Sequence, residues 1–448
     1  RVIDLWRSIE WNTASTTTIR SSSARSGGPV KAGTGSREIT LPEYLIGDTR
    51  VHDPLFASAL VFDDGVRKLA FVCVDLIDPS FPEARRDLRE RLGIEHTLLN
   101  ASHTHSDGRG RRRDGWKERV DALIGEAVQE ALENQVPVSL YGGRRPVQIG
   151  YNRYSKRFTD AIVPWVNTLE ARTEGGKPLA VLFEHPAHPV MTIEGEGLSA
   201  DFPAAAVARI REELGEDVLP LFVQGCTGNI NAYPVGFSVD SGQHDNAARA
   251  GRTLGEAVLG AMRDGIEISA DTLCVKTTSI TLPCNLPSMS MWEEMTARLM
   301  RHPPGTPMLI GTTDSWTRYL DVTRQMIERG EHPHTCFEAS LVTLGTEWCL
   351  MALPGEIFCE YELWLEEQAP FRHKMVSAYT NDGSVEYIPT DKALSLGAED
   401  PLNAENECLE ATAWPGFFYG VNVRGAWLPY ASGIETKIRD ALEKLWVA

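Results

Sequence analysis

The sequence predicts an α/β protein with a mixed β-sheet core flanked by helices, folded as one large two-lobed unit. Three observations predict it. Beyond about Val51, short apolar runs alternate with amphipathic segments, the pattern of strands and helices that share a sheet. Hydrophobic residues make up 42% of the 448 positions, enough for a sizeable core. No fixed-period repeat and no long linker appears after residue 50, so lobes of about 51–270 and 271–448 are expected within one unit.

Residues 1–50 read as an N-terminal segment that is partly loop. Positions 11–40 are rich in Ser, Thr, Gly and Arg, which predicts loop or disorder, with order beginning near Val51. Residues 69–75 form an apolar run that reads as a buried strand, and 81–92 are amphipathic and read as a helix. The same reasoning gives a strand at 97–101, a helix at 116–134, a strand at 179–183, a helix at 202–214, a strand at 219–223 and a long helix at 244–262. In the second half, 272–282 reads as extended, and 292–301 and 314–329 as helices. A hairpin turning at Gly345-Thr346 is expected over 337–353, then a helix at 360–368, a strand at 374–378 and a closing amphipathic helix at 433–446.

The formal net charge of −18 would repel nucleic acid and anionic lipid head groups, so neither is expected as a partner. No apolar stretch approaches the ~20 residues that span a bilayer, so membrane insertion is not expected. The opening residues, Arg1 to Trp6, show no apolar core of a secretion signal. The eight cysteines form no CxxC pair and no dense framework, which predicts reduced, mostly buried thiols in a cytoplasmic protein. An acidic enzyme-sized chain of this kind is expected to form a homo-oligomer. The basic run at 109–113 reads first as a solvated loop and second as a clamp for an anionic substrate.

Four segments carry the chemistry. In LLNASHTHSDG (98–108) an apolar strand runs into His103-x-His105, and side chains two apart on an extended chain face the same way. That places two imidazoles at the carboxyl end of a buried strand, a usual location for sites in α/β proteins, and neutral imidazole suits zinc. In LFEHPAHPV (182–190) a second strand delivers His185 and His188, each held by a following proline; one ligand is expected from the pair, with His188 preferred. In WCLMALPGE (348–356) a strand ends in Pro-Gly and presents Glu356, a hard oxygen ligand. The fourth segment runs from Met375 through Tyr379 to YIPT at 387–390, and a tyrosine near a metal can ligate it or donate to an oxyanion.

Together these segments resemble the catalytic domain of the neutral ceramidase family, from about Val51 to about residue 446. The likeness rests on NASHTHS (100–106), GYNR (150–153), HPAHPV (185–190), SADFP (199–203), VQGCTGNIN (223–231), LPGE (353–356) and YIPT (387–390). It implies a zinc hydrolase of amide bonds acting on a small-molecule substrate. It implies zinc ligands at His103, His188, Glu356 and Tyr387, with His105 facing the substrate and Arg153 lining the pocket. Tyr379 is a further catalytic candidate, and Gly225, Cys226 and Asn229 are candidates for binding the substrate. The family carries a serine where this chain has Gly225, so a serine-based covalent route is not expected and metal-activated water is. The family's immunoglobulin-like C-terminal domain has no counterpart in these 448 residues, which together with the bulk properties predicts a soluble substrate rather than membrane ceramide.

Three alternatives stand beside this reading. SHTHSDG (102–108) echoes the HxHxDH motif of binuclear metallo-β-lactamase-like hydrolases, which would recruit Asp107, although Gly108 stands where that motif needs His. A metal that polarises a carbonyl can also acidify the neighbouring carbon, giving a lyase or isomerase with His105 or Tyr379 as base. A non-catalytic binding protein could keep the same fold.

Overall fold

A computed structural model describes residues 29–42, 49–108, 115–153, 160–193, 197–236, 241–306, 312–383, 385–396 and 420–447. The basic run at 109–113 lies outside them, as do residues 11–28 of the Ser/Thr-rich tract.

Seventeen strands matter for the site. They are β1 Lys31–Glu38, β2 Phe56–Asp63, β3 Lys68–Val74, β4 His96–Ala101, β5 Val136–Pro146, β6 Gly150–Asn152, β7 Trp165–Thr173, β8 Pro178–His185 and β9 Leu219–Gln224. They continue with β10 Ile230–Ala232, β11 Ile266–Ile268, β12 Leu273–Pro283, β13 His334–Leu344, β14 Trp348–Ala352, β15 Glu356–Ile357, β16 His373–Ser377 and β17 Tyr387–Ile388. A nine-stranded sheet runs β4-β3-β2-β1-β5-β7-β8-β9, with β11 paired to β5, and a four-stranded sheet runs β12-β13-β14-β16. The large sheet is mixed: its interior pairs are antiparallel, while the outermost pairs, β3–β4 and β8–β9, are parallel.

The two sheets face each other, and the side chains sort by the period-2 rule of a strand. Leu69, Phe71 and Cys73 of β3 share an inter-sheet core with Leu182 of β8, Leu221 of β9, Val342 of β13 and Trp348 and Leu350 of β14. The alternate residues, Ala70, Val72 and Val74, turn outward into a core with helices Pro82–Leu92 and Trp116–Glu133. Val181 and Phe183 of β8 turn outward against helices Phe202–Leu214 and Gln243–Arg263. On the far side, Cys349 and Met351 of β14 pack with helices Cys359–Gln368 and Ile434–Val447. Strands buried on both faces read as continuous apolar runs, which is why β3, β4, β8, β9 and β14 were visible in the sequence.

The expectation of loop up to residue 40 fails at β1, a strand in the middle of the large sheet, paired with β2 over its whole length. Its glycines misled the reading. A Cβ on Gly33 would stand 1.9 Å from the Ala131 carbonyl oxygen, and one on Gly35 would stand 2.1 Å from that of Ala127. Glycine there lets helix Trp116–Glu133 lie directly on the strand, rather than marking a turn. β7 was also missed, because its buried Asn167, Thr168 and Glu170 interrupt the apolar pattern. Among the described residues no helix is long and apolar enough to cross a membrane. Seven cysteines are described, all unpaired; Cys73, Cys226, Cys284, Cys349 and Cys359 are buried, Cys274 is half-buried and Cys336 exposed.

Candidate functional site

The carboxyl ends of β4, β8 and β9 meet those of β14 and β16. Asn100 at the end of β4 ties them together: its Oδ1 accepts from Gln224 N of β9 at 3.0 Å, and its Nδ2 donates to the Ala378 carbonyl just past β16. Thus the two edge strands of the large sheet, β4 and β9, approach each other under the site.

His103 and His105 leave β4 through a turn, not an extended chain. His103 has φ 65°, a left-handed conformation that costs about 1–3 kcal/mol in a non-glycine residue. Its amide donates to the Leu76 carbonyl at 2.9 Å, which holds the turn. The two imidazoles do converge, with ring centroids 5.1 Å apart, but this kink brings them together rather than strand alternation. His188 comes from the segment after β8, where its amide donates to Ile230 O at 3.0 Å and it bridges to Asn231. One ligand atom from each of His103, His105 and His188 falls within 4.8 Å of the others, and His105 Nε2 stands 3.0 Å from His188 Nε2. His103 and His188 are buried and His105 is half-buried.

The tautomers follow from the partners. A carbonyl oxygen only accepts, so the His103 Nδ1 that lies 2.7 Å from Ile77 O carries a proton and Nε2 is the ring atom turned toward Glu356. His188 Nδ1 faces Thr227 O at 3.5 Å in the same sense. Burial, and then the neighbouring His103, pushes the His188 pKa down to about 3, so that imidazole is neutral with its Nε2 lone pair in the cluster.

Glu356 enters just past β14, at the start of β15. Gly355 before it has φ 70°, and a Cβ there would stand 1.8 Å from Val385 O, so only glycine makes this turn. β15 pairs in parallel with β17, which sets Glu356 opposite Tyr387. Glu356 Oε1 lies 3.3 Å from His103 Nε2. Burial alone would raise the Glu356 pKa, but the neighbouring imidazoles, His103 first and then His188 and His105, hold it well below the usual carboxylate range. Burial, and then Glu356, pushes the Tyr387 hydroxyl up, with Arg153 opposing. The Arg153 guanidinium lies 5.3 Å from the Tyr387 ring centroid, and its Nη2 donates to Gly228 O.

These groups fit a divalent cation. Glu356 Oε1 stands 3.3 Å from His103 Nε2, and His103 Nε2 and Glu356 Oε2 are buried without a hydrogen-bond partner. Such an arrangement calls for a positive centre between them.

Tyr379 is buried beside this cluster, with its ring 4.2 Å from that of His103 and its hydroxyl 2.7 Å from Thr227 Oγ1. Thr227, which had no assigned role in the sequence reading, therefore supports two site residues at once, His188 through its carbonyl and Tyr379 through its hydroxyl. The Ile77 carbonyl is a second unforeseen contributor; a backbone acceptor leaves no trace in residue type.

The three residues expected to bind substrate all have partners within the protein. A Cβ on Gly225 would stand 2.4 Å from Glu184 Oε1 and 3.0 Å from Glu362 Oε2, so this glycine is packed on two buried carboxyl groups. Cys226 is fully buried, and its amide donates to Glu362 Oε2 at 2.9 Å. Asn229 uses its Oδ1 to accept from Cys359 N at 2.9 Å and its Nδ2 to donate to Glu360 at 2.8 Å, so it secures the start of helix Cys359–Gln368. Its carbonyl accepts from Arg153 N at 3.1 Å, so it positions Arg153. His185, the other histidine of its motif, points elsewhere, with Nδ1 2.8 Å from Trp165 O. Asp107, the extra ligand of the binuclear alternative, is held by the backbone. Asp107 is buried and accepts from Ile77 N at 2.8 Å, and the three-residue group able to share an ion among the described residues contains only histidines.

No family model and no curated protein sequence matches the chain. Solved structures do. The neutral ceramidase from Pseudomonas aeruginosa superposes with a TM-score of 0.66 at 15% identity, covering 94% of this chain and 74% of that one. A ceramidase structure described as complexed with C2 superposes with a TM-score of 0.63 at 15% identity, covering 88% and 74%. The chain has the fold of neutral ceramidase.

Proposed function

We propose that the protein is a zinc-dependent hydrolase that cleaves an amide, or an ester, bond in a soluble small molecule. The observation that carries this reading is His103 Nε2 facing Glu356 Oε1 at 3.3 Å, with His188 and His105 alongside. The solved structures that share the fold are ceramidases, which supports amide chemistry at this position in the fold.

His103, His188 and Glu356 would hold the ion, with the Tyr387 hydroxyl as the fourth group; imidazole and carboxylate together suit zinc. When bound, zinc supplies a Lewis acid that acidifies water and polarises a carbonyl. The Ile77 and Thr227 carbonyls hold the two buried rings so that both Nε2 atoms are ready, an arrangement that typically raises affinity and fixes geometry. His105, the half-buried member, donates to the oxyanion that develops on the substrate carbonyl, and Arg153 adds fixed positive charge. Tyr379 stiffens the His103 ring it packs against. Half-buried polar groups such as His105 and Arg153 suit a polar substrate.

Elemental analysis followed by a metal-dependent screen over N-acyl amides (ceramide among them), esters and lactones tests this. One zinc per chain and zinc-dependent hydrolysis are expected. Folded protein that takes up no metal overturns the reading, and product formed without ¹⁸O from labelled water would move the chemistry to a lyase.

A further inference from the structure

Behind the imidazoles lies a buried acidic pair with no part in the chemistry above. Glu184 on β8 and Glu362 on helix Cys359–Gln368 are both almost fully buried and lie against the same residue, Gly225. Burial, and then the charge of Glu362, raises the Glu184 carboxyl well above the usual range, so the pair retains a proton. Each anchors on one oxygen: Glu184 Oε2 accepts from Asn167 Nδ2 at 2.7 Å, and Glu362 Oε2 accepts from Cys226 N at 2.9 Å. The other oxygen of each has no hydrogen-bond partner. The missing side chain of Gly225 makes room for both groups.

We infer that Glu362, seated by Glu184, is a positioning residue for the metal site. It clamps the Cys226 amide, and the next residue is Thr227, whose carbonyl faces His188 Nδ1 and whose hydroxyl meets Tyr379. An anchored amide one residue away fixes where that carbonyl and hydroxyl stand, and through them the His188 and Tyr379 rings. Burying two carboxyl groups is costly, and a simple packing role would be met by apolar side chains. The inference rests on the zinc reading for one of its two readouts only.

The test compares zinc affinity, by competition with a chromophoric chelator, and amide hydrogen exchange over 224–231 in folded variants. Glu362→Ala removes the acceptor and should weaken zinc ten- to a hundred-fold, the usual scale for such supporting groups, while speeding exchange at Cys226. Glu362→Gln keeps an acceptor oxygen and should return both readouts to within about threefold of wild type. Should Glu362→Ala not fold, Gly225→Ala displaces the pair without deleting it, and the same loss is expected. Unchanged affinity and exchange in either variant, or no rescue by glutamine, overturns the inference. If wild-type protein takes up no zinc, the hydrolase reading fails, and exchange at Cys226 alone still decides this one.

Discussion

His105 Nε2 and His188 Nε2 stand 3.0 Å apart although 83 residues separate them in sequence. His188 is buried and neutral, while His105 is half-buried. That difference in exposure underlies the roles proposed for them, which can be tested. His188→Ala and His103→Ala should each abolish stoichiometric zinc and all turnover, measured by elemental analysis and by assay of the folded variants.

His105→Ala should keep its zinc. Loss of one oxyanion donor should lower kcat by ~10²–10³. Zinc lost along with activity would make His105 a ligand instead.

Cys226 should be chemically silent. Burial first, then the charge of Glu362 and Glu184, pushes its thiol well above the ordinary range, so it holds no thiolate at neutral pH. Cys226→Ala should change kcat by less than about threefold, because the amide that donates to Glu362 is kept. A dead Cys226→Ala enzyme would replace the water mechanism with a thiol one.

The acidic pair should leave a signature in stability against pH. Burial raises the Glu362 pKa to about 7, partly offset by the Cys226 amide, by Glu184 and by Arg144, with Glu366 adding to the rise. The folded state therefore holds this proton more tightly than the unfolded chain. Between the unfolded value of 4.5 and about 7 the native protein binds more protons, so its stability falls as pH rises through that window. The contribution is about 3 kcal/mol. Urea midpoints at pH 5 and pH 8 should differ more in wild type than in a Glu184→Gln/Glu362→Gln double variant; equal pH dependence would show that the pair retains no proton.

The glycines of β1 should be intolerant. Gly33→Ala places a methyl 1.9 Å from the Ala131 carbonyl oxygen, which forces helix Trp116–Glu133 off the sheet. A loss of about 1–3 kcal/mol or more is expected from overpacking, measured by urea unfolding. A neutral effect would mean that the helix does not sit on this strand.

Residue chemistry and local periodicity were enough to find the doubly buried strands β3, β4, β8, β9 and β14, because a strand apolar on both faces announces itself. They also singled out His103, His105, His188 and Glu356, because strand ends followed by His-x-His, His-Pro or Pro-Gly-Glu are local patterns. Tertiary structure alone decided the rest. β1 is a strand only because a helix lies on its glycines, and Gly225 and Cys226 face a carboxyl pair contributed by residues 41 and 136 positions away. Thr227 and the Ile77 carbonyl became supports of the site only when β4, β9 and β16 converged. The physical reason is that a backbone acceptor, a close approach and a retained proton are properties of pairs of distant groups, and a linear chain displays groups one at a time.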